Sequence, residues 1–337
     1  MKVVVYSSRE YDRTTLGAAS AGGSVEFSFY NHQLTRHTVS SADGFDGVCL
    51  FVNDHADRDV IESLAALGVK VIALRCSGFN NVDMEAAHEF GIKIYRVPAY
   101  SPESVAEYSV ALIMTLNRKT HRAYNRVREG NFDLSGLLGF DLKEKTVGVV
   151  GTGMIGKAFC RIMRGFGCHV VAYDPCQDDE FASDHRVKYL QLDDLLECSD
   201  IVSLHCPLNE KTRHMINKES LGRFKRGAML INTGRGALID TTAVIGSLKN
   251  GKLGNLGIDV YEDEAELFFE DRSSEIIQDD EIVRLISFPN VLVTGHQGFF
   301  TREALSQIAE VTVENLTRFS NHIPPILGCE VMSSQNS

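Results

Sequence analysis

Residues 146–163 read TVGVVGTGMIGKAFCRIM, and this stretch decides the fold of the chain. An apolar run ends at a glycine-rich turn, and a helical pattern begins directly after the turn. Gly151 permits a tight turn, Gly153 lets backbone amides approach a phosphate, and Gly156 lets the helix pack closely on the strand. The amino end of such a helix attracts negative charge. The stretch therefore predicts a strand, a turn and a helix that together bind a dinucleotide.

Asp174 indicates which dinucleotide is bound. It ends the next strand-like run, HVVAYD at 169–174, about 20 residues beyond the first glycine, where a carboxylate accepts hydrogen bonds from the ribose hydroxyls of NAD. The same carboxylate repels the 2′-phosphate of NADP, and residues 175–177 (PCQ) supply no cation. We expect NAD as the cofactor, and the context disfavours the alternative of a glycine turn that binds nothing.

The length, composition and charge of the chain limit the class of protein to which it can belong. It has 337 residues, 44% of them hydrophobic and 23% charged, with a formal net charge of −11. This composition is typical of a folded globular protein of two domains. Its acidic excess repels nucleic acids and anionic membranes, so we expect small-molecule partners.

Location and metal content are predicted from apolar runs and cysteines. No apolar run approaches the roughly 18 residues that span a membrane, and the amino terminus does not resemble a signal peptide. Eight cysteines are scattered without a C-x-x-C pair. We expect a cytoplasmic protein with reduced, mostly buried thiols and no metal site.

The strand pattern indicates two α/β domains. Five apolar runs within residues 1–100 alternate with helical stretches and predict a small parallel sheet, and Pro102 opens a long helix. Six further strand-like runs follow from residue 146 and predict a doubly wound parallel sheet. The amphipathic stretch 301–320 is too short for its own domain, so we expect it to pack against the first half, before a loose tail, SSQNS. A cleft between two domains is expected.

Three strand ends of the second half carry candidate catalytic side chains. Arg235 lies in TGRG after one strand, the acidic segment 261–271 follows the next, and His296 follows the last. Each has an ordinary interpretation, namely a surface arginine, a solvated loop and a structural histidine. Because the carboxyl ends of parallel strands share one edge, the three are expected to converge beside the cofactor.

Together these groups match the reduction of a 2-keto acid. An arginine can bind a carboxylate with two parallel hydrogen bonds, and a histidine can donate a proton to a carbonyl oxygen. A carboxylate bonded to the second ring nitrogen would fix the tautomer of the histidine and stabilise its protonated form. Exclusion of water is a further requirement that this set does not supply.

The sequence resembles the D-isomer-specific 2-hydroxyacid dehydrogenases, most closely their fermentative D-lactate dehydrogenase branch. The resemblance rests on VPAYSPESVAEYSVALIM, VVGTGMIG, SLHCPL, INTGRGALID, GIDVYEDE and NVLVTGHQGFF, among other segments. It implies that Arg235 grips the substrate, that Glu264 supports the histidine, and that His296 is the acid and base.

The resemblance also implies the remaining site residues. The expected cofactor-binding residues are Gly151, Gly153, Met154, Ile155, Gly156, Asp174, His205, Cys206, Pro207, Thr212, Thr233, Gly234 and Asp259. The expected substrate-binding residues, besides Arg235, are Ser77, Gly78, Phe79, Tyr100 and Phe299. The backbone amides of the loop 77–79 would hold the substrate carboxylate. Many relatives have Ser at 234 and some have Tyr at 299, and neither departure removes a group that the chemistry needs.

The same likeness assigns the domains. Residues 1–100 with 299–337 would form a flavodoxin-like catalytic domain, and residues 101–298 a Rossmann-type NAD domain. A homodimer or homotetramer would form through the NAD domains, near the helix around residue 110 and the basic segment 118–128. Taken alone, that basic segment is typical of a solvated face.

The implied activity is the reversible NADH-dependent reduction of pyruvate to D-lactate. Two alternatives remain open on sequence grounds. The substrate could be a bulkier keto acid, such as 2-ketoisocaproate or phenylpyruvate. The chain could instead be an NAD-sensing protein that resembles a transcriptional corepressor, because such proteins keep the same three side chains.

Overall fold

The computed structural model describes residues 1–264 and 267–331. The tail SSQNS lies outside the described residues. The chain divides into two compact units, the first formed by Met1–Ser101 with the chain from Phe299 onward, and the second by Pro102–Gly298.

The amino-terminal part of the first unit alternates strands and helices. Its elements are β1 (Lys2–Val5), α1 (Glu10–Ser20), β2 (Glu26–Phe29), β3 (Gly47–Leu50), α2 (Arg58–Ala66), β4 (Val71–Leu74), α3 (Met84–Glu89) and β5 (Lys93–Tyr95). The five strands pair in parallel in the order β2-β1-β3-β4-β5. This is the flavodoxin-like order, so the predicted fold of this unit is confirmed.

The second unit is larger and begins with a long helix. Its elements are α4 (Pro102–Arg118), α5 (Thr120–Arg128), β6 (Thr146–Val150), α6 (Met154–Gly165), β7 (His169–Tyr173), α7 (Asp179–His185), β8 (Lys188–Tyr189), α8 (Leu192–Cys198), β9 (Ile201–Leu204), α9 (Lys218–Arg223), β10 (Ala228–Asn232), α10 (Thr241–Lys249), β11 (Leu253–Ile258), α11 (Asp280–Ser287) and β12 (Val291–Val293). Pro102 is the first residue of α4, as predicted.

The sheet of the second unit is doubly wound. Its seven strands have the order β12-β11-β10-β9-β6-β7-β8, and their pairs are parallel. Strand order reverses between β6 and β9, and in such sheets this switch point is where ligands bind. Six of these strands coincide with the predicted apolar runs. β8 was not predicted, because two residues at a sheet edge produce no hydrophobic pattern.

Alternation along each strand builds a core on both faces of each sheet. In the second unit Val147 and Val149 pack on one face, whereas Val150 and Leu204 pack on the other. The last helix, α12 (Arg302–Ser320), returns to the first unit. There Ala309, Val313 and Leu316 pack in one cluster with the strand residues Val3 and Val5. The expectation that the carboxyl-terminal helix packs on the first half is confirmed.

Candidate active site

The glycine turn lies at the switch point and is shaped by close backbone contacts. Gly151 has a φ of 95°, and a Cβ at this position would lie 2.6 Å from the amide nitrogen of Cys206, just beyond β9. A Cβ on Gly156 would lie 1.9 Å from the carbonyl oxygen of Gly151. Both positions therefore require glycine, as the sequence predicted.

The amino end of α6 is open to a ligand. Gly153 caps the helix without a side-chain hydrogen bond, and a Cβ there would meet no atom within 4 Å. Gly153, directly before Met154 and Ile155 at the start of α6, therefore has open space where its side chain would lie. Such a terminus fits a pyrophosphate.

Asp174 is held in place beside this turn. Its Oδ2 accepts hydrogen bonds from the amide of Thr152 at 2.6 Å and from the Thr152 hydroxyl at 3.1 Å. Its Oδ1 accepts from the amide of Cys176 at 2.8 Å. Thr152 was not predicted as a site residue, although it lies inside the glycine motif, and it holds the carboxylate of Asp174.

The segment after β9 forms an uncharged wall. The ring Nε2 of His205 lies 2.9 Å from the hydroxyl of Ser203, and burial lowers the pKa of His205 to about 3. Burial raises the pKa of the Cys206 thiol to about 11. At neutral pH the imidazole is therefore neutral and the thiol protonated. The next predicted residue, Pro207, accepts a bond at its carbonyl from the Thr212 hydroxyl at 2.7 Å.

Three neighbouring strands bring the candidate catalytic segments to one edge. The segments follow β10, β11 and β12, which are adjacent in the sheet. The amide of Asp259 donates to the carbonyl of Asn232 at 2.9 Å, and the amide of His296 donates to the carbonyl of Asp259 at 2.7 Å. Backbone hydrogen bonds thus continue past the ends of the three strands and connect the three segments that follow them.

Arg235 follows β10, in a loop that packs against the loop after β11. A Cβ on Gly236 would lie 2.1 Å from the carbonyl carbon of Tyr261. The backbone of Tyr261 therefore requires glycine at position 236. A Cβ on Gly234 would have its nearest contact at 3.6 Å.

Arg235 is partly exposed, and its guanidinium makes one hydrogen bond within the described residues. Its Nη1 donates to the carbonyl of Gly234 at 2.7 Å. Within the described ranges no hydrogen bond joins it to Glu264 or His296. The preceding Thr233 is anchored, since its hydroxyl lies 2.8 Å from that of Ser109 on α4. Among the residues that the structure describes, the other donors of Arg235 have no protein acceptor and are available to a ligand.

Glu264 and His296 form a direct pair. Nδ1 of His296 lies 2.8 Å from Oε1 of Glu264, and the two side chains are only 14% and 21% exposed. Oε2 of Glu264 accepts the amide of Tyr261 at 2.9 Å. Both carboxylate oxygens are thus committed, which fixes the imidazole and leaves Nε2 as the ring nitrogen free to meet a substrate.

Asp259 shapes the loop that carries His296. Its carboxylate accepts hydrogen bonds from the Thr294 hydroxyl at 2.6 Å and from the amides of Gln297 and Gly298 at 3.0 and 2.7 Å. Burial raises the pKa of Asp259, and these three hydrogen bonds oppose that rise. His296 itself has a left-handed φ of 52°. The carboxylate therefore stabilises the turn that presents the imidazole.

Phe269 is a neighbour of His296 that the sequence interpretation missed. Its ring centroid lies 5.9 Å from that of His296 at an interplanar angle of 36°. Phe269 also has a left-handed φ of 66°, which is rare for a bulky residue. An aromatic residue in an acidic loop carries no sequence signal for such a contact.

The predicted substrate-binding residues other than Arg235 belong to the first unit. Ser77, Gly78 and Phe79 form the loop after β4. Phe299 is buried, with its ring centroid 5.7 Å from that of Phe51 and 6.4 Å from that of Tyr100. The loop and this aromatic cluster contain the residues of the first unit that the sequence predicts to bind the substrate.

The described residues also bear on the predictions for thiols, metals and membranes. All eight cysteines are free, and five are buried, as the sequence predicted. Residues 1–264 and 267–331 contain no group of three or more histidine, cysteine or acidic side chains arranged to hold a metal ion. In the same residues no helix has the length and apolar character needed to cross a membrane.

The fold and site define an NAD-binding oxidoreductase, and comparisons with known proteins give its family. Residues 110–298 match the model of the D-isomer specific 2-hydroxyacid dehydrogenase, NAD binding domain. The chain is 55% identical to 2-hydroxyacid dehydrogenase A of Aspergillus oryzae over 322 residues, covering 95% of this chain and 92% of that protein. It is 50% identical to D-lactate dehydrogenase of Escherichia coli over 317 residues, covering 94% and 96%.

A solved structure agrees with the sequence relatives. The apo-structure of D-lactate dehydrogenase from Escherichia coli aligns with a TM-score of 0.89 at 45% identity, covering 98% of this chain and 100% of that one. The chain belongs to the D-isomer specific 2-hydroxyacid dehydrogenases. NAD is its cofactor, and the resemblance drawn from the sequence is confirmed.

Proposed function

We propose that this protein is a D-lactate dehydrogenase that catalyses the reversible NADH-dependent reduction of pyruvate to D-lactate. The observation that carries the proposal is the 2.8 Å pair of His296 and Glu264 at the carboxyl edge of the NAD-binding sheet. The relative from Escherichia coli with that name supports it, because the match at 50% identity covers nearly all of both chains.

The second unit would hold the cofactor. Its glycine turn and the amino end of α6 would bind the pyrophosphate, and Asp174 the adenosine ribose. The remaining proposed cofactor contacts are Met154, Ile155, His205, Cys206, Pro207, Thr212, Thr233, Gly234 and Asp259. Bound NADH supplies the hydride that reduces the carbonyl carbon of the substrate.

His296 supplies the proton. The imidazolium donates from Nε2 to the oxygen of the reduced carbonyl, and in the reverse reaction Nε2 accepts the hydroxyl proton. Glu264 stabilises the charged imidazole through Nδ1. Because both side chains are largely shielded from solvent, their interaction is only weakly screened.

Arg235 and the first unit would recognise the 2-keto acid. The planar guanidinium suits a carboxylate because it donates two parallel hydrogen bonds. We assign the amides of the loop 77–79 to the same carboxylate, and Tyr100 and Phe299 to the walls around the substrate side chain. The first unit is thus the proposed catalytic domain, and the second the NAD domain.

The aromatic cluster favours a small substrate. Phe299 is only 7% exposed and packs against neighbouring rings, so moving it to admit a large side chain would cost packing energy. We therefore place pyruvate ahead of 2-ketoisocaproate and phenylpyruvate.

An NADH-oxidation assay tests the activity. Pyruvate, glyoxylate, hydroxypyruvate and 2-ketoisocaproate are compared by kcat/KM, and the product of pyruvate is analysed on a chiral column. We expect pyruvate to give the highest kcat/KM and D-lactate to be the product. L-lactate, or a higher kcat/KM for 2-ketoisocaproate, would contradict the proposal.

We further infer that two copies of the chain associate through their NAD domains. No residue of α5 is buried, and the segment that follows it exposes three large apolar side chains, with Phe132 74%, Leu134 78% and Leu138 88% accessible. Such an exposed apolar group is typical of a protein contact. Light scattering should give a dimer or tetramer, and Leu134→Asp with Leu138→Asp should shift it towards monomer. An unchanged mass would refute the assignment.

The eight free cysteines support a cytoplasmic location. Fractionation of the source cells with an antibody tests it, and enrichment outside the cytosolic fraction would contradict it. The net charge of −11 supports small-molecule partners rather than nucleic acids or membranes.

A further inference from the structure

The loop Ser77–Phe79 offers a row of unused donors. In the part of the chain that the structure describes, the amides of Ser77, Gly78 and Phe79 donate to no protein acceptor, and all three residues are partly exposed. Successive amides of this kind form a concavity that binds anions. We propose that Arg96 is a positioning residue that sets these amides for the substrate carboxylate. The inference rests on the function proposed above and deepens it.

Arg96 fixes the first peptide of the loop. Its Nη1 donates to the carbonyl oxygen of Ser77 at 3.0 Å. In a trans peptide the carbonyl and the following N–H point in opposite directions, and the described residues contain no cis peptide. The N–H of Gly78 is therefore turned away from Arg96. A hydrogen bond at the carbonyl also polarises that peptide and makes its N–H a better donor.

Cys76 fixes the second peptide in the same way. Its Sγ donates to the carbonyl oxygen of Gly78 at 3.2 Å, so the N–H of Phe79 is turned away from Cys76. A thiol is a weak donor, and its contribution is smaller than that of the guanidinium. Two consecutive peptides are thus oriented from their carbonyl sides, while their N–H groups remain available.

The guanidinium of Arg96 also contacts the far end of the loop. Its central carbon lies 5.2 Å from the ring centroid of Phe79, within the range of a cation–π contact. A single planar group therefore bonds the first residue of the loop and stacks on the last. Lysine could keep the charge and one donor but not the flat stacking surface.

Arg96 is itself anchored at the end of β5. Its amide donates to the carbonyl of Cys329 at 2.8 Å, and the next amide, of Val97, donates to the carbonyl of Cys76 at 3.1 Å. The backbone of Arg96 is therefore fixed, and its side chain in turn fixes the position of the loop 77–79. The bound carboxylate also gains a fixed positive charge behind the peptides that contact it.

The test uses Arg96→Met, Arg96→Lys and Cys76→Ala, assayed with pyruvate and NADH. Arg58→Met is the matched control, because Arg58 belongs to the same unit and also lies over a phenylalanine ring, that of Phe90 at 5.8 Å. For each variant we measure KM and kcat for pyruvate and inhibition by oxamate, which carries the same carboxylate. Fluorescence gives the Kd for NADH, and a thermal melt gives the Tm.

We expect a carboxylate-specific loss. Arg96→Met should raise KM for pyruvate and the inhibition constant for oxamate together, by about tenfold, with a smaller change in kcat and an unchanged Kd for NADH. Arg96→Lys and Cys76→Ala should each raise KM by about threefold. Arg58→Met should leave all four constants as in the wild type.

Other outcomes overturn the proposal. An unchanged KM in Arg96→Met, with a wild type that reduces pyruvate, refutes the role of Arg96 alone. Equal losses in KM, kcat and NADH binding would assign it a purely structural role. If Arg96→Met does not fold, an unchanged KM in Arg96→Lys refutes the proposal instead. A wild type that reduces no 2-keto acid overturns the proposed function and this inference with it.

Discussion

Replacing Glu264 by glutamine isolates its electrostatic role. The carboxylate uses Oε1 for His296 and Oε2 for the amide of Tyr261, and both of these partners donate when the imidazole is protonated. A glutamine has only one acceptor oxygen. It can serve Tyr261 or the protonated His296 but not both, and in either case the imidazolium loses its ionised partner.

The size of the effect follows from the loss of that interaction. A hydrogen bond to a charged group contributes about 1.5–3 kcal/mol, and about 1.4 kcal/mol corresponds to a tenfold change in rate. The imidazole supplies the proton in pyruvate reduction, so the loss of its carboxylate partner should lower kcat. In Glu264→Gln, kcat for pyruvate should therefore fall by about 10–100-fold.

Initial rates of NADH oxidation at saturating pyruvate measure the loss in kcat. Glu262→Gln is the control, because Glu262 lies in the same loop but bonds His214 at 2.7 Å and Arg213 at 3.0 Å. It should leave kcat close to that of the wild type. An unchanged kcat in Glu264→Gln, or an equal loss in Glu262→Gln, would refute the reasoning.

Three further substitutions test the same edge of the sheet. Arg235→Lys should lower kcat/KM for pyruvate by about 10–100-fold, because a point charge replaces a bidentate grip; wild-type kinetics would reject that role. His296→Ala should abolish turnover while the fluorescence titration still detects NADH binding, and loss of NADH binding would make the histidine structural. Gly236→Ala should destabilise the protein by about 1–3 kcal/mol, because its Cβ would meet the backbone of Tyr261 at 2.1 Å. The control Gly234→Ala should hardly change the Tm. Equal Tm values for the two variants would contradict the steric argument.

The sequence predicts the two sheets well because buried parallel strands leave clear apolar runs. β6 and β9 are four to five residues long and buried, and such runs stand out between polar turns. β8 has only two residues, one of them exposed, so its place depends on pairing with β7. No local pattern encodes such a strand.

The candidate site was predictable only in part. Strand-end positions indicate Arg235 and His296, but composition does not select one carboxylate from Glu262, Asp263 and Glu264. The turn makes the selection, since the amide of Tyr261 holds Oε2 of Glu264. In the sequence, only the resemblance to the family selects Glu264. Contacts such as that of Phe269 depend on loop conformation and have no signature in the sequence.

The first unit consists of two segments of the chain that the ribosome makes at well-separated times. Val3 and Val5 are covered in part by Ala309, Val313 and Leu316 of α12. The ribosome makes residues 102–298 between the two pieces, which takes about 10–40 s at about 5–20 residues per second. During that interval the nascent amino-terminal strands lack their apolar cover. Apolar surface on the first hundred residues is therefore left uncovered by α12 until translation nears its end.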